Sequence, residues 1–166
     1  MKNFIKSIYP YIVIIILVIL VKMFVMTPIK VVGPSMEETL LDGDIMILNK
    51  MAYNTKKINR FDIVVVDYID ELIIKRVVGL PGETLEYRDG ILYINGDAYD
   101  EPYLSEFTYT EDFVLDERIP DNYYFVIGDN RYDSKDSRVI GLVSSKDIEG
   151  KANYILYPFD RMGPVE

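Results

Sequence analysis

LEYRDGILYING, residues 85–96, reads as strand, turn, strand, turn. Leu85 to Tyr87 and Ile91 to Ile94 carry the aromatic and β-branched residues that strands favour, and Arg88-Asp89-Gly90 separates them. Asn95-Gly96 follows at once and is the strongest short-range hairpin signal in the chain, because both residues accept the positive φ that a tight hairpin turn demands. Working outward, the same punctuation recurs. Ile29 to Val32 is a short β-branched run, and the Asp42-Gly43-Asp44 turn leads into Ile45 to Leu48. Ile63 to Val66 and Leu72 to Val78 are apolar runs between turn residues, too short for helices and suited to buried strands. Phe113 to Leu115 and Tyr123 to Ile127 add two more. With no repeat and no low-complexity linker, residues 27–166 are expected to form one mainly β, antiparallel domain.

The beginning of the chain differs. Residues 8–26 are almost wholly apolar, and 19 residues approach the roughly 20 that span a bilayer core. Lys22 lies near one end, where its stem can snorkel to the interface, and Pro10 near the other, where a helix tolerates it. A removed secretory signal would have a shorter apolar run and a small-x-small cleavage site. Here the run continues into Met26-Thr-Pro-Ile-Lys30, so an uncleaved transmembrane anchor is the preferred reading. Lys2 and Lys6 place residues 1–7 on the cytoplasmic side under the positive-inside rule. Residues 27–166 are then extracytoplasmic.

Composition removes many function classes. Residues 27–166 carry 15 basic and 27 acidic side chains, a balance of −12, so nucleic acid is not an expected partner. The chain has no His and no Cys. That excludes a Ser-His-Asp triad, imidazole or thiolate metal sites, a thiolate nucleophile and disulfides. A hydrolase built on this chain with a side-chain nucleophile must use Ser or Thr, activated by Lys or a carboxylate.

Three stretches bear on such chemistry. Gly33-Pro34-Ser35-Met36 places Ser35 nine residues beyond Met26; alone, it is an ordinary turn. In Ile73-Ile74-Lys75-Arg76-Val77, strand alternation puts Lys75 on a face with Ile73 and Val77, and Arg76 with Ile74 and Val78. One cation must face an apolar layer, or the strand lies at a sheet edge with both cations solvated, the reading this segment favours by itself. The third stretch is Gly128-Asp129-Asn130-Arg131-Tyr132-Asp133-Ser134-Lys135-Asp136-Ser137-Arg138. It reads as a turn-rich loop with Asx turns and an Asp136–Arg138 ion pair. Calcium held by Asp129, Asp133 and Asp136 is a weaker alternative, since EF-hand spacing is absent. Residues 99–112 are polar and aromatic without periodicity. They suit a surface excursion, with lipid contact through Tyr103, Phe107 and Tyr109 as the functional alternative.

Taken together, these motifs resemble the bacterial type I signal peptidases, membrane-anchored Ser/Lys endopeptidases, in their compact Gram-positive form. KRVVGLPGE (75–83) is similar to the family's lysine motif. GDNRYDSKDSR (128–138) is similar to its Gly-Asp-Asn-x-x-x-Ser-x-Asp-Ser-Arg motif, and GPSMEETL (33–40) to its serine motif. Asp42-Gly43-Asp44 and Asn95-Gly96 through Leu104 fall in the expected order. The resemblance runs from the anchor to about Ala152.

It implies an antiparallel β catalytic domain against the outer membrane face, cleaving signal peptides from exported preproteins after small-x-small sites. Ser35 is implied as nucleophile, Lys75 as general base and Ser134 as the residue orienting that lysine. Asp129, Asp136 and Arg138 are implied to shape the site. Val31, Val32, Leu40 and Ile74 are implied to line shallow pockets for small side chains. No cofactor or metal is implied, and the implied partners are signal peptides and the lipid bilayer; oligomeric state is not legible. The chain departs from the family pattern with Glu38 in place of a usual Pro, Gly33 where some members have a hydroxyl, and Asp133 for a frequent Asn.

Physics adds a requirement. A lysine of ordinary pKa ~10.4 is a poor base near neutrality, and lowering it to ~7–8 by burial costs ~4 kcal/mol; the Ile73/Val77 face is the expected source of that burial. The backbone N–H of Ser35 is a candidate oxyanion donor. Two rival readings are a non-enzymatic relative serving surface-protein or pilus assembly, and a self-cleaving Ser/Lys repressor. The first is expected to lose one residue of the dyad, and both are present. The second needs a DNA-binding module, which the anchor and the acidic domain oppose.

Overall fold

The computed structural model describes residues 2–24, 26–53 and 57–165, and the side chains of 2–7 and 20–24 lie outside that description. Helix α1 (Lys2–Phe24) contains Pro10, and the side chains of residues 8–19 are all exposed. Among the described residues no helix is long and apolar enough to cross a membrane. The expected anchor, 8–26, rests in part on residues 20–25, beyond the described side chains.

Among the described residues twelve strands follow: β1 (Met26–Lys30), β2 (Ile45–Asn49), β3 (Ile63–Tyr68), β4 (Glu71–Gly79), β5 (Leu85–Arg88), β6 (Ile91–Ile94), β7 (Asp97–Tyr99), β8 (Phe113–Val114), β9 (Tyr123–Ile127), β10 (Val143–Ser144), β11 (Ile148–Tyr157) and β12 (Gly163–Pro164). A four-residue helix, α2 (Ser137–Ile140), lies between β9 and β10, capped by Asp136, whose side chain accepts from the Arg138 N–H. The strands make two antiparallel sheets. The larger runs β1-β2-β11-β3-β4-β9-β10 with β12 on β11, and the smaller runs β7-β6-β5-β8.

The smaller sheet is built on the 85–96 hairpins. Arg88 pairs with Ile91 across Asp89-Gly90, and Ile94 pairs with Asp97 across Asn95-Gly96. All four turn residues have positive φ, the signature of type I′ loops, whose twist matches that of the flanking strands. Leu85, Tyr87, Leu92 and Ile94 then point inward and pack with Val78, Ile119, Phe125 and Ile127. A second cluster, around Val31, Met36, Leu40, Met46, Leu48, Ile63 and Val65, underlies β1 to β3. A third joins Val64, Val66, Val77 and Val126.

Strand β4 decides where the chemistry sits, and here the edge reading is overturned. It lies between β3 and β9, with Val64 opposite Lys75 and Ile63 opposite Arg76. Both cations are buried, Lys75 at 3% exposure and Arg76 at 0%. Alternation sends them to opposite faces of an interior strand, each into its own surroundings.

The aromatic excursion also needs correction. The Tyr103 ring lies under the Arg76 guanidinium, 3.8 Å to its centroid, and its hydroxyl donates to Glu101. It is a packing residue, not a lipid contact. Phe107 and Tyr109 are exposed.

Candidate active site

Three segments far apart in sequence converge here. The first is the turn after β1. Val31 N–H donates to the Asp44 carbonyl (2.8 Å), Glu37 N–H to the Pro34 carbonyl (2.9 Å) and Leu40 N–H to the Met36 carbonyl (2.8 Å). Gly33 N–H donates to Asp42 Oδ1 at 2.9 Å. Met36 and Leu40 plug into the cluster beneath, which leaves Ser35 half-buried on the outer side. The peptide between Glu37 and Glu38 is cis.

The second segment is β4. Lys75 Nζ donates to Ser35 Oγ at 2.8 Å and to the Ile74 carbonyl at 2.9 Å. Burial strips water from the ammonium and pushes its pKa down to about 8, against the pull of the Asp136 and Asp129 carboxylates, which favour the charged form. A neutral amine one hydrogen bond from a hydroxyl can accept its proton. The Ser35 N–H donates to no group among the described residues.

The third segment is the loop from Gly128 to Arg138. Asn130 holds the Ser35 turn twice, its N–H donating to the Ser35 carbonyl at 3.2 Å and its Nδ2 to the Pro34 carbonyl at 3.2 Å. Asp129 accepts from Arg76 Nε (2.9 Å) and Nη2 (2.7 Å) and from the Thr39 hydroxyl, so it ties loop, strand and turn together. Asp136 accepts from Arg138 Nε and Nη2, each at 2.9 Å, and from Gly128 N–H at 3.0 Å. Burial works to raise the Asp136 carboxyl, but Arg138 and the Gly128 N–H outweigh it and hold the pKa below the ordinary range. The ion pair expected between Asp136 and Arg138 is therefore present. Both carboxylates of the calcium alternative that are buried, Asp129 and Asp136, are occupied by arginines. Among the described residues no group of three or more acidic side chains is placed to hold a metal ion.

Ser134 Oγ is buried and has no hydrogen bond of good geometry, to Lys75 or to any other described residue. It lies near enough to Asp136 to favour that carboxylate's charged form, and beside Gly128, where a Cβ would overlap both Ser134 Oγ and the Ser35 carbonyl oxygen.

A cleft of about 360 Å³ opens beside Ser35, lined among others by Val31, Val32, Met36, Leu72, Ile74 and Lys75. It brings together three of the four pocket residues expected from sequence. Leu40 is not among them, because it packs wholly inside the cluster below. Met36 and Leu72 were not anticipated as lining. Thr39, Asn130 and Arg76 also went unassigned; each works through a contact between segments at least 37 residues apart, which local patterning does not carry.

A family model described as "Signal peptidase, peptidase S26" matches residues 1–157. The chain belongs to this signal peptidase family. Signal peptidase I of Bacillus caldolyticus is 40% identical over 169 residues, covering 91% of this chain and 90% of the relative. Signal peptidase I S of Bacillus subtilis is 38% identical over 158 residues, covering 89% of this chain and 86% of its own. The crystal structure of a signal peptidase I from Enterococcus faecalis V583 is 41% identical and superposes with a TM-score of 0.52, covering 58% of this chain and 97% of that one. In this signal peptidase family member, the serine, lysine and Gly-Asp-Asn motifs all meet around one hydroxyl.

Proposed function

We propose that this chain is a membrane-anchored serine endopeptidase that removes N-terminal signal peptides from exported preproteins after small-x-small sites. The observation that carries the reading is the 2.8 Å hydrogen bond between a buried Lys75 Nζ and Ser35 Oγ. Neutral Lys75 takes the Ser35 proton as Oγ adds to the scissile carbonyl carbon. The oxyanion faces the free Ser35 N–H, and donors so placed stabilise it. The ammonium then returns the proton to the departing amine, leaving an ester on Ser35. Lys75 next draws a proton from water, whose oxygen attacks the ester; the ammonium gives that proton back to Ser35 Oγ as the acyl–oxygen bond breaks, and the signal peptide leaves with a new carboxyl terminus. Ser134 flanks this exchange from beside Gly128 and Asp136, without a hydrogen bond to Lys75. Asp129, Asp136 and Arg138 brace the loop. Val31, Val32 and Ile74 form the shallow wall that admits small side chains.

Helix α1 serves as the anchor in this reading. In sequence the apolar run that begins in this helix continues to Met26, and Lys2 and Lys6 keep residues 1–7 in the cytoplasm, with 27–166 outside. The pairing of an intact Ser35–Lys75 contact with an open cleft favours the enzyme over a non-enzymatic relative.

The test is the pH–rate profile for a small-x-small preprotein in detergent. The Lys75 pKa is lowered, so the neutral base appears as pH rises through about 8. Below that value the rate is expected to climb about tenfold per pH unit. Full processing by Ser35→Ala, or a profile flat from pH 6 to 9, would remove the proposal.

Gly128→Ala gives a second expectation. The new methyl must displace Ser134 or the Ser35 carbonyl, and a shift of about 1 Å at reacting atoms can cost ~100-fold in rate. Turnover should fall to that extent while far-ultraviolet circular dichroism stays that of the wild type.

A further inference from the structure

Two clefts flank the Pro34–Glu37 turn. One holds Val31, Val32 and Ile74 beside Ser35 and Lys75. The other, about 260 Å³, is lined among others by Glu37, Glu38, Leu104, Phe107, Asn130 and Tyr132. Asn130 joins them, since it lines the second cleft and bonds the Ser35 and Pro34 carbonyls. A peptide laid across Ser35 with its acyl half in the first cleft sends its amine half past this turn.

The charges of the second cleft are unequal in kind. Asp129 is neutralised by Arg76 and Arg131 by Glu101. Glu37 is half-buried and Glu38 exposed, and neither side chain makes a hydrogen bond or ion pair among the described residues. No other cation lines the cleft. Its uncompensated charge is thus wholly negative and comes from these two glutamates.

We propose that this second cleft receives the first residues of the mature protein, and that Glu37 and Glu38 make it select cationic over anionic side chains there. The inference rests on the endopeptidase reading and adds a specificity that the small-x-small requirement does not contain. Selection acts on whatever sits just after the scissile bond. A lysine side chain meets attraction from both carboxylates, and a glutamate side chain meets repulsion from the same two.

The experiment compares three preproteins identical up to the scissile bond, with Ala, Lys or Glu at the first two mature positions. Wild type is assayed at low and high ionic strength, beside Glu37→Gln, Glu38→Gln and the double variant. Exposed charge pairs of this kind are modest and screened by salt, so the Lys-to-Glu ratio in kcat/KM is expected to be about tenfold at low salt. It should fall toward one at high salt and in the double variant. A wild-type ratio near one at low salt, or a ratio untouched by both salt and substitution, overturns the proposal. The wild-type salt series decides the matter even if a variant fails to fold. Absence of cleavage for all three substrates, Ala included, overturns the endopeptidase reading beneath it instead.

Discussion

Lys75→Met is expected to yield a protein that cleaves no preprotein yet resists urea better than the wild type. Both effects come from the same burial. Water is kept from an ammonium that is 3% exposed, which lowers its pKa from 10.5 to about 8. At about 1.36 kcal/mol per pH unit, that gap corresponds to about 3 kcal/mol of destabilisation wherever both folded and unfolded chains carry the charge. Methionine occupies a similar volume without the charge. The sign fixes a pH window. Below pH 8 the full difference should separate variant from wild type. Between 8 and 10.5 the folded lysine is neutral while the unfolded one is still protonated, so wild-type stability rises with pH and the gap closes. Urea midpoints at pH 7 and pH 10 measure it. Equal stability at pH 7 would mean that the site does not hold the ammonium at a cost, and so does not prepare a base. Activity surviving in the variant would remove Lys75 from the mechanism.

Asp129→Ala is expected to be the most damaging single change outside the dyad. The Arg76 and Asp129 side chains are 0% and 1% exposed and meet through two nitrogen–oxygen bonds. Removing the carboxylate leaves a buried guanidinium charge without its counter-ion, beside the Phe61 carbonyl, the Thr39 hydroxyl and the Tyr103 ring. Breaking a buried pair in this way costs ~3–5 kcal/mol, whereas replacing both partners by apolar groups is often close to neutral. The double variant Arg76→Met/Asp129→Leu should therefore recover most of the lost stability. A single variant within ~1 kcal/mol of wild type would show that water reaches the pair. Recovered stability without recovered turnover in the double variant would show that Asp129 is needed to set the loop, through Asn130, against Ser35.

What was legible in sequence follows from how far each signal travels along the chain. The β-rich class and the 85–96 hairpins rest on adjacent residues, and the two turns fall at Asp89-Gly90 and Asn95-Gly96 as their chemistry demands. Strand β11 was not anticipated. Gly150, Lys151 and Asn153 interrupt its alternation, and its pairing shifts register against both neighbours. Yet it is an interior strand of the larger sheet, joining β2 to β3. The edge assignment of Lys75 and Arg76 failed for a related reason. Two adjacent cations look solvated unless the carboxylate for one and the hydroxyl for the other are in view, and those lie 53 and 40 residues away. The family resemblance supplied Ser35 and Lys75 by position. It also named Leu40 as pocket lining, where burial instead makes it the anchor of the turn.

Adjacent placement of Lys75 and Arg76 on an interior strand has one more consequence. A slip of β4 by one residue would send each to the other face; in one direction Arg76 takes the place of Lys75 and Val77 that of Arg76, and in the other Lys75 takes the place of Arg76 and Ile74 that of Lys75. Both the proton acceptor and the brace would vanish together. A chain with this strand misaligned is therefore silent rather than sloppy, and activity itself certifies that the sheet was assembled correctly.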